Sequence, residues 1–129
     1  MYTGKVVTWV TVLLVLIIGS GIYMNKSLEQ TSKRLESNIM QIEDAAKSND
    51  WEKARQHLGS IKTSWGKSQK SWTMLIDHTE IDNIDDTLTR LEGFIDSENT
   101  PLTLGEAASL RQYVKHIPEK EAFNLRNIF

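Results

Sequence analysis

From Trp51 to Leu75 the chain reads WEKARQHLGSIKTSWGKSQKSWTML, and this stretch decides the fold. Trp51, Ala54, Leu58, Ile61, Trp65, Ser68, Trp72 and Leu75 alternate three and four residues apart, which lays them along one stripe of an α-helix. The step averages about 3.5 residues, the period of a helix that crosses its neighbours at a shallow, coiled-coil-like angle. Gly59 and Gly66 lie inside this helix. Each costs up to about 1 kcal/mol of helix propensity relative to Ala, which points to local bending or close helix contact there.

Outward from this stretch the pattern stays helical. Upstream, Leu28, Leu35, Ile39, Ile42 and Ala46 recur at three-, four- and seven-residue steps. That helix is expected to end near Ser48, because Asn49 followed by Glu52 reads as a capping-box start. Downstream, the chain turns at Asp77-His78-Thr79-Glu80, where Asp77 or Thr79 can cap a third helix with Ile81, Ile84, Leu88, Leu91 and Ile95 on one face. Ser97-Glu98-Asn99 reads as a loop. Thr100 as N-cap, with Pro101 at the first helical position, starts a fourth helix, since proline's missing N–H costs nothing there. Its apolar positions include Leu104, Ala108, Leu110, Tyr113, Val114 and Ile117, and Pro118 is expected to stop or kink it. Phe123, Ile128 and Phe129 of the tail would dock on the bundle. With only two prolines, no sustained alternation and no Asn-Gly or Asp-Gly turn, nothing argues for strands. Helices two to four are expected to share one core built on Trp65, Trp72, Ile84, Leu88, Leu91 and Tyr113.

Charge supports antiparallel packing of the middle pair. Residues 47–70 carry a net +4, whereas residues 77–106 carry a net −8 with Arg90 as their sole base. A short connection makes consecutive helices neighbours, so basic faces acidic across the hairpin. Exposed pairs contribute below about 1 kcal/mol each and favour correct pairing more than stability.

At the other end, Val6 to Met24 reads VVTWVTVLLVLIIGSGIYM, 19 residues without a charge. As a helix it spans roughly 28 Å, enough for the hydrocarbon core of a bilayer. A domain this small could not bury such a helix on all sides. A cleaved secretory signal is the competing reading, with Lys5 as a minimal basic region and Gly19-Ser20-Gly21 as small residues. The run is long for a signal, and no Ala-x-Ala pattern follows it. With no cysteine in the chain there is no lipoprotein anchor and no disulfide. Trp9 and Tyr23 lie near the two ends, where amphipathic rings suit the headgroup boundary. Lys26, Lys33 and Arg34 outnumber Lys5, which leans toward a cytoplasmic domain, while a span starting so early has the layout of an uncleaved signal that sends the chain outward. The residues therefore predict an all-α protein, an N-terminal transmembrane helix continuing into a small antiparallel bundle of about four helices. Residues 1–26 form the tail and anchor, and residues 27–129 the bundle domain.

Ionisable groups crowd together only around His78, with Asp77, Glu80, Asp82, Asp85 and Asp86 close by. Acids at a helix N-terminus are stabilised by its free N–H groups and dipole, so they need no function. The functional alternative is a surface for a divalent cation or a cationic partner, although the glycine and spacing of an EF-hand are missing. Zinc is disfavoured by three scattered histidines. His57 sits at the stripe's edge, and His116 is expected in a last turn, where the helix C-terminus favours it. A remote His78–His116 pair with Asp77 is conceivable. Trp65 and Trp72 share a face, as core rings burying about 200 Å² each or as the lining of a groove for a peptide, glycan fragment or lipid. No serine has the Gly-x-Ser-x-Gly context of a nucleophile, and a net charge of −2 with opposed runs argues against nucleic acid.

The stretch Trp65-Gly-Lys-Ser-Gln-Lys-Ser-Trp72-Thr-Met-Leu-Ile-Asp77-His78-Thr-Glu80-Ile-Asp82-Asn83-Ile84, with His116-Ile-Pro118-Glu119-Lys120-Glu121 further on, resembles a family of small single-span proteins of spore-forming Gram-positive bacteria. The family is known as domain of unknown function 4363. The resemblance covers nearly the whole chain, and the Trp-x-x-Leu-Ile-Asp-His-x-Glu-Ile-Asp-Asn block, with Thr73 and Met74 in its loose positions, is its most specific part. It implies an anchor followed by a helical domain on the outer face of the cell membrane, and no reaction. The expected function is a non-enzymatic accessory or scaffold module, without cofactor or metal, in contact with the bilayer and another membrane or envelope protein. The alternative is an extracytoplasmic sensor of a ligand or cation, using the Trp65/Trp72 face or the Asp77–Asp86 acids.

Overall fold

The computed structural model describes residues 2–73 and 76–128, with side chains placed for residues 2–23, 26–70, 72 and 76–117. Four α-helices follow one another: α1 (Tyr2–Lys47), α2 (Trp51–Thr73), α3 (His78–Asp96) and α4 (Thr100–Ile128). They run up and down around a square, with α1 packed on α2 and α4, and α3 closing the far corner. At 46 residues α1 extends about 69 Å. Its first part is long and apolar enough to cross a membrane. Residues 2–20 are exposed throughout, Gly21 is half-covered, Ile22 and Tyr23 are exposed again, and Leu28 is the first buried residue. Within the bare part, the Thr8 and Thr11 hydroxyls donate to the carbonyls of Gly4 (2.9 Å) and Val7 (2.8 Å), so neither needs water.

The stripes read from sequence are the core. Leu28, Leu35, Ile39, Ile42 and Ala46 of α1, Trp51 to Trp72 of the α2 stripe (Ser68 half-covered), and Ile81, Ile84, Leu88, Leu91 and Ile95 of α3 face one another. Leu75 and Phe129 lie outside the described residues, and Phe123 and Ile128 outside the described side chains. Two expectations about the core need correction. It is not confined to helices two to four: α1 sits between α2 and α4 and supplies a full share, because its stripe continues for five turns beyond the apolar run. On α4 the inward residues are Thr103, Ala107, Leu110, Val114 and Ile117, while Tyr113 is 38 % exposed. Alternation of four and three steps from Thr103 fixes that face, and Tyr113 lies one residue off it.

The turns correct three more expectations. Asn49 is not an N-cap but ends α1 in the left-handed conformation, φ 58°, which asparagine tolerates. Around it the Asp50 N–H donates to the Ala45 carbonyl and the Asn49 N–H to that of Ala46, a Schellman closure. Asp50 then caps α2, its carboxylate accepting from the Lys53 N–H at 3.2 Å. Ser97-Glu98-Asn99 repeats the device. Glu98 takes φ 54°, Asn99 N–H bonds the Phe94 carbonyl, and Asn99 rather than Thr100 caps α4 through the Leu102 N–H at 3.0 Å. Asp77 caps α3 as expected. At Gly59 and Gly66 a Cβ would meet nothing within 4 Å, so no close helix contact exists at either.

Of the two outcomes expected at Pro118, a stop does not occur: α4 runs on past it. Proline has no N–H to offer the carbonyl four residues back, which here is Val114. That buried carbonyl instead accepts from the Ser32 hydroxyl of α1 at 2.7 Å. With the orphan acceptor satisfied from another helix, α4 passes through residue 118 and continues to Ile128.

Candidate functional site

The tryptophan pair stands where α2 meets α3. Trp65 and Trp72 are seven residues apart on the inner face and are 4 % and 2 % exposed. Their ring centroids are 5.3 Å apart at an interplanar angle of 85°, an edge-to-face arrangement favoured by the ring quadrupoles. The Trp65 indole N–H donates to Asp85 Oδ1 at 2.6 Å, and the other Asp85 oxygen accepts from Gln69 Nε2 at 3.2 Å. Asp85 thus ties α3 to α2 at the edge of the core. Nearby, the space where Leu35, Ile61, Trp65, Ile84, Leu88 and Val114 meet is apolar and too small to admit a water molecule. Both rings are buried in the core.

The acidic residues are spread over different tasks. Asp77 lies before α3 and accepts from the Thr79 N–H at 3.4 Å. His78 opens the helix and is exposed, as are Asp82 and Asp86, while Glu80 is half-buried. Asp85 turns inward to the indole, away from Asp82 and Asp86 in role. Among the described residues, no three His, Asp or Glu side chains are gathered closely enough to hold a metal ion. His116 is exposed on α4 and, because the helix continues to Ile128, it is a mid-helix residue rather than a last-turn one. His57 bonds sideways to α1, its Nδ1 3.1 Å from Asn38 Oδ1.

The expected charge complementarity is visible as cross-helix pairs. Arg55 of α2 reaches Asp96 of α3 at 3.9 Å and Glu98 of the turn after it at 3.4 Å, and Lys62 of α2 pairs with Glu92 of α3. Arg90 joins α3 to Glu106 of α4 at 3.2 Å. Glu43 on α1, 15 % exposed, lies 3.3 Å from Arg111 on α4. That contact is ionic only, since Glu43 Oε1 has no partner at hydrogen-bond angles. Sequence reasoning missed the Ser32–Val114 bond. The signal was available in one half only: Pro118 announces that Val114 needs a donor, but nothing local names Ser32.

A family model described as Domain of unknown function (DUF4363) matches residues 22–128. The match takes in the bundle together with the end of the apolar run from Ile22 onward. No curated protein and no solved structure matches the chain.

Proposed function

The chain belongs to the DUF4363 family, and on that premise we propose that it is a membrane-tethered accessory or scaffold module, without catalytic activity of its own, that binds another membrane or envelope protein. The observation that carries this reading is the continuity of α1. One helix runs from the apolar run into the centre of the bundle, where α2 and α4 pack on it. Such a mount holds a small bundle at a fixed height and attitude beside a membrane, which suits a module that meets a neighbour in the same plane. On this reading the domain faces away from the cytoplasm, as the family resemblance implies. The burial of both tryptophans counts against an aromatic ligand groove and leaves the acidic surface of α3 as the main support for a sensor.

Carbonate extraction should leave the protein in the membrane pellet, and protease added to intact protoplasts should remove the bundle. Photo-cross-linkers at exposed α3 positions such as Asp86 and Thr89 should give one discrete protein adduct in native membranes. Release by carbonate would remove the anchor, and full protection would reverse the orientation. Micromolar binding of Ca²⁺, Mg²⁺ or Zn²⁺ that disappears in Asp82→Ala, with no protein adduct, would replace the scaffold by the sensor.

A further inference from the structure

We propose that the anchor-side end of the bundle rests in the headgroup layer of the bilayer, where Lys26, Lys67 and Lys70 bind the phosphates of anionic lipids. The proposal rests on the membrane-anchored reading and adds depth and lipid chemistry to it.

Helix register fixes the height of this end. The His57–Asn38 bond sets those two residues level on α2 and α1. The helices are antiparallel, so each step along α2 matches one step back along α1. Lys67 and Lys70 therefore fall level with residues 28 and 25 of α1, where the uncharged run ends. On the other side, the Ser32–Val114 bond sets α4 against α1 in the same way. From Val114, α4 continues for 14 residues to Ile128, about 21 Å further toward the anchor. Both helices thus descend alongside the last turn of the apolar run.

The length of the span sets the depth. Val6 to Tyr23, 18 residues, is uncharged and, apart from the half-covered Gly21, bare, and it measures about 27 Å. A hydrocarbon core is about 30 Å thick, so the span is filled when this whole run is immersed. The ends of α2 and α4, level with its last turn, then meet the headgroups.

The charge at this level is arranged for anionic lipid. Lys26, Lys67 and Lys70 are exposed and make no ion pair among the described residues. They lie on α1 and on the end of α2, whereas Asp77, Glu80 and Asp82, at the same end of the bundle, lie at the start of the α3 corner, diagonal to α1. At the far end the Asn49 and Glu98 turns carry Asp44, Asp50, Glu52, Asp96 and Glu98 against Lys47, Lys53 and Arg55. The α1–α2 side of the anchor end therefore presents three exposed lysines at headgroup height. Exposed ammonium groups near a negative lipid surface are attracted to it, and the attraction fades within a Debye length.

The absence of cysteine makes the test direct. Single nitroxide labels are placed on the full-length chain at Leu13→Cys, Asn49→Cys and His78→Cys, in bilayers of phosphatidylcholine with or without phosphatidylglycerol. Collision with oxygen and with a water-soluble nickel complex reports the depth of each label. The label at 13 should lie in hydrocarbon, the one at 49 in water and the one at 78 at headgroup depth. Phosphatidylglycerol should draw the label at 78 inward, and Lys67→Gln with Lys70→Gln should abolish that shift. A label at 78 as water-accessible as that at 49, with 13 in hydrocarbon, overturns the proposal and leaves the anchor intact. A headgroup-depth label that ignores both phosphatidylglycerol and the substitutions overturns the role of the lysines. If the label at 13 is in water, the anchor itself fails.

Discussion

The two halves of α1 share one uninterrupted helix and have opposite surroundings. Residues 6–20 carry no charge on any side and are exposed throughout, whereas residues 28–46 are apolar on one stripe and that stripe is wholly covered. A helix apolar all round needs an apolar medium; one apolar on a stripe needs other helices. The difference teaches that the backbone carries no boundary between anchor and bundle. The boundary is written in side-chain periodicity, and it falls between Tyr23, still exposed, and Leu28, the first buried residue.

Substitutions can break this comparison at its strongest point. Trp72, at the anchor end of the bundle, should cost about 3–5 kcal/mol on conversion to Ala through lost transfer energy and a cavity. Denaturant unfolding in detergent micelles, followed by far-UV circular dichroism, would show it, and a cost below that of a surface substitution would mean that the ring is not core.

Ile39→Ala in the covered half should lower stability by about 2–5 kcal/mol, while Leu13→Ala in the bare half should leave the midpoint of bundle unfolding unchanged. Equal effects at the two positions would show that the halves do not differ as their exposures of 0 % and 60 % imply.

The bond that lets α4 pass Pro118 offers a finer test. Ser32→Ala leaves the buried Val114 carbonyl without a donor and should cost about 1–3 kcal/mol. In a Pro118→Ala background residue 118 regains an N–H for that carbonyl, so the same Ser32→Ala change should cost clearly less. Additive losses in the double-mutant cycle would separate the two residues.

The smallest effect belongs to the turns that join the covered half of α1 and its counterpart α3 to the helices after them. Glu98 holds φ 54° with a full side chain, so Glu98→Gly should gain about 0.5–1 kcal/mol, offset in part by the exposed Arg55 pair. Asn49→Gly should gain less, since asparagine already tolerates that conformation. A midpoint shift larger at 49 than at 98 would contradict this ordering.

Much of the fold was legible because it depends on spacing. The stripes of Leu35, Ile39 and Ile42, of Trp51 to Trp72 and of Ile81 to Ile95 could be read one helix at a time, as could the basic face of α2 opposite the acidic face of α3. The candidate site was legible only as a list of residues. Asp77, Asp82 and Asp85 look alike in sequence, yet one caps a helix, one is exposed and one holds an indole.

By itself, then, the sequence determined the apolar run, the four amphipathic segments and their pairing by charge, since periodicity and composition act within a few residues. Only the tertiary structure decided that α1 is central to the core, that Asp85 serves Trp65, and that Pro118 lies within a helix. The last case shows the physical reason. Whether a proline ends a helix depends on who satisfies the carbonyl it abandons, and here the donor is Ser32, 82 residues away from Val114 along the chain and 2.7 Å away in space.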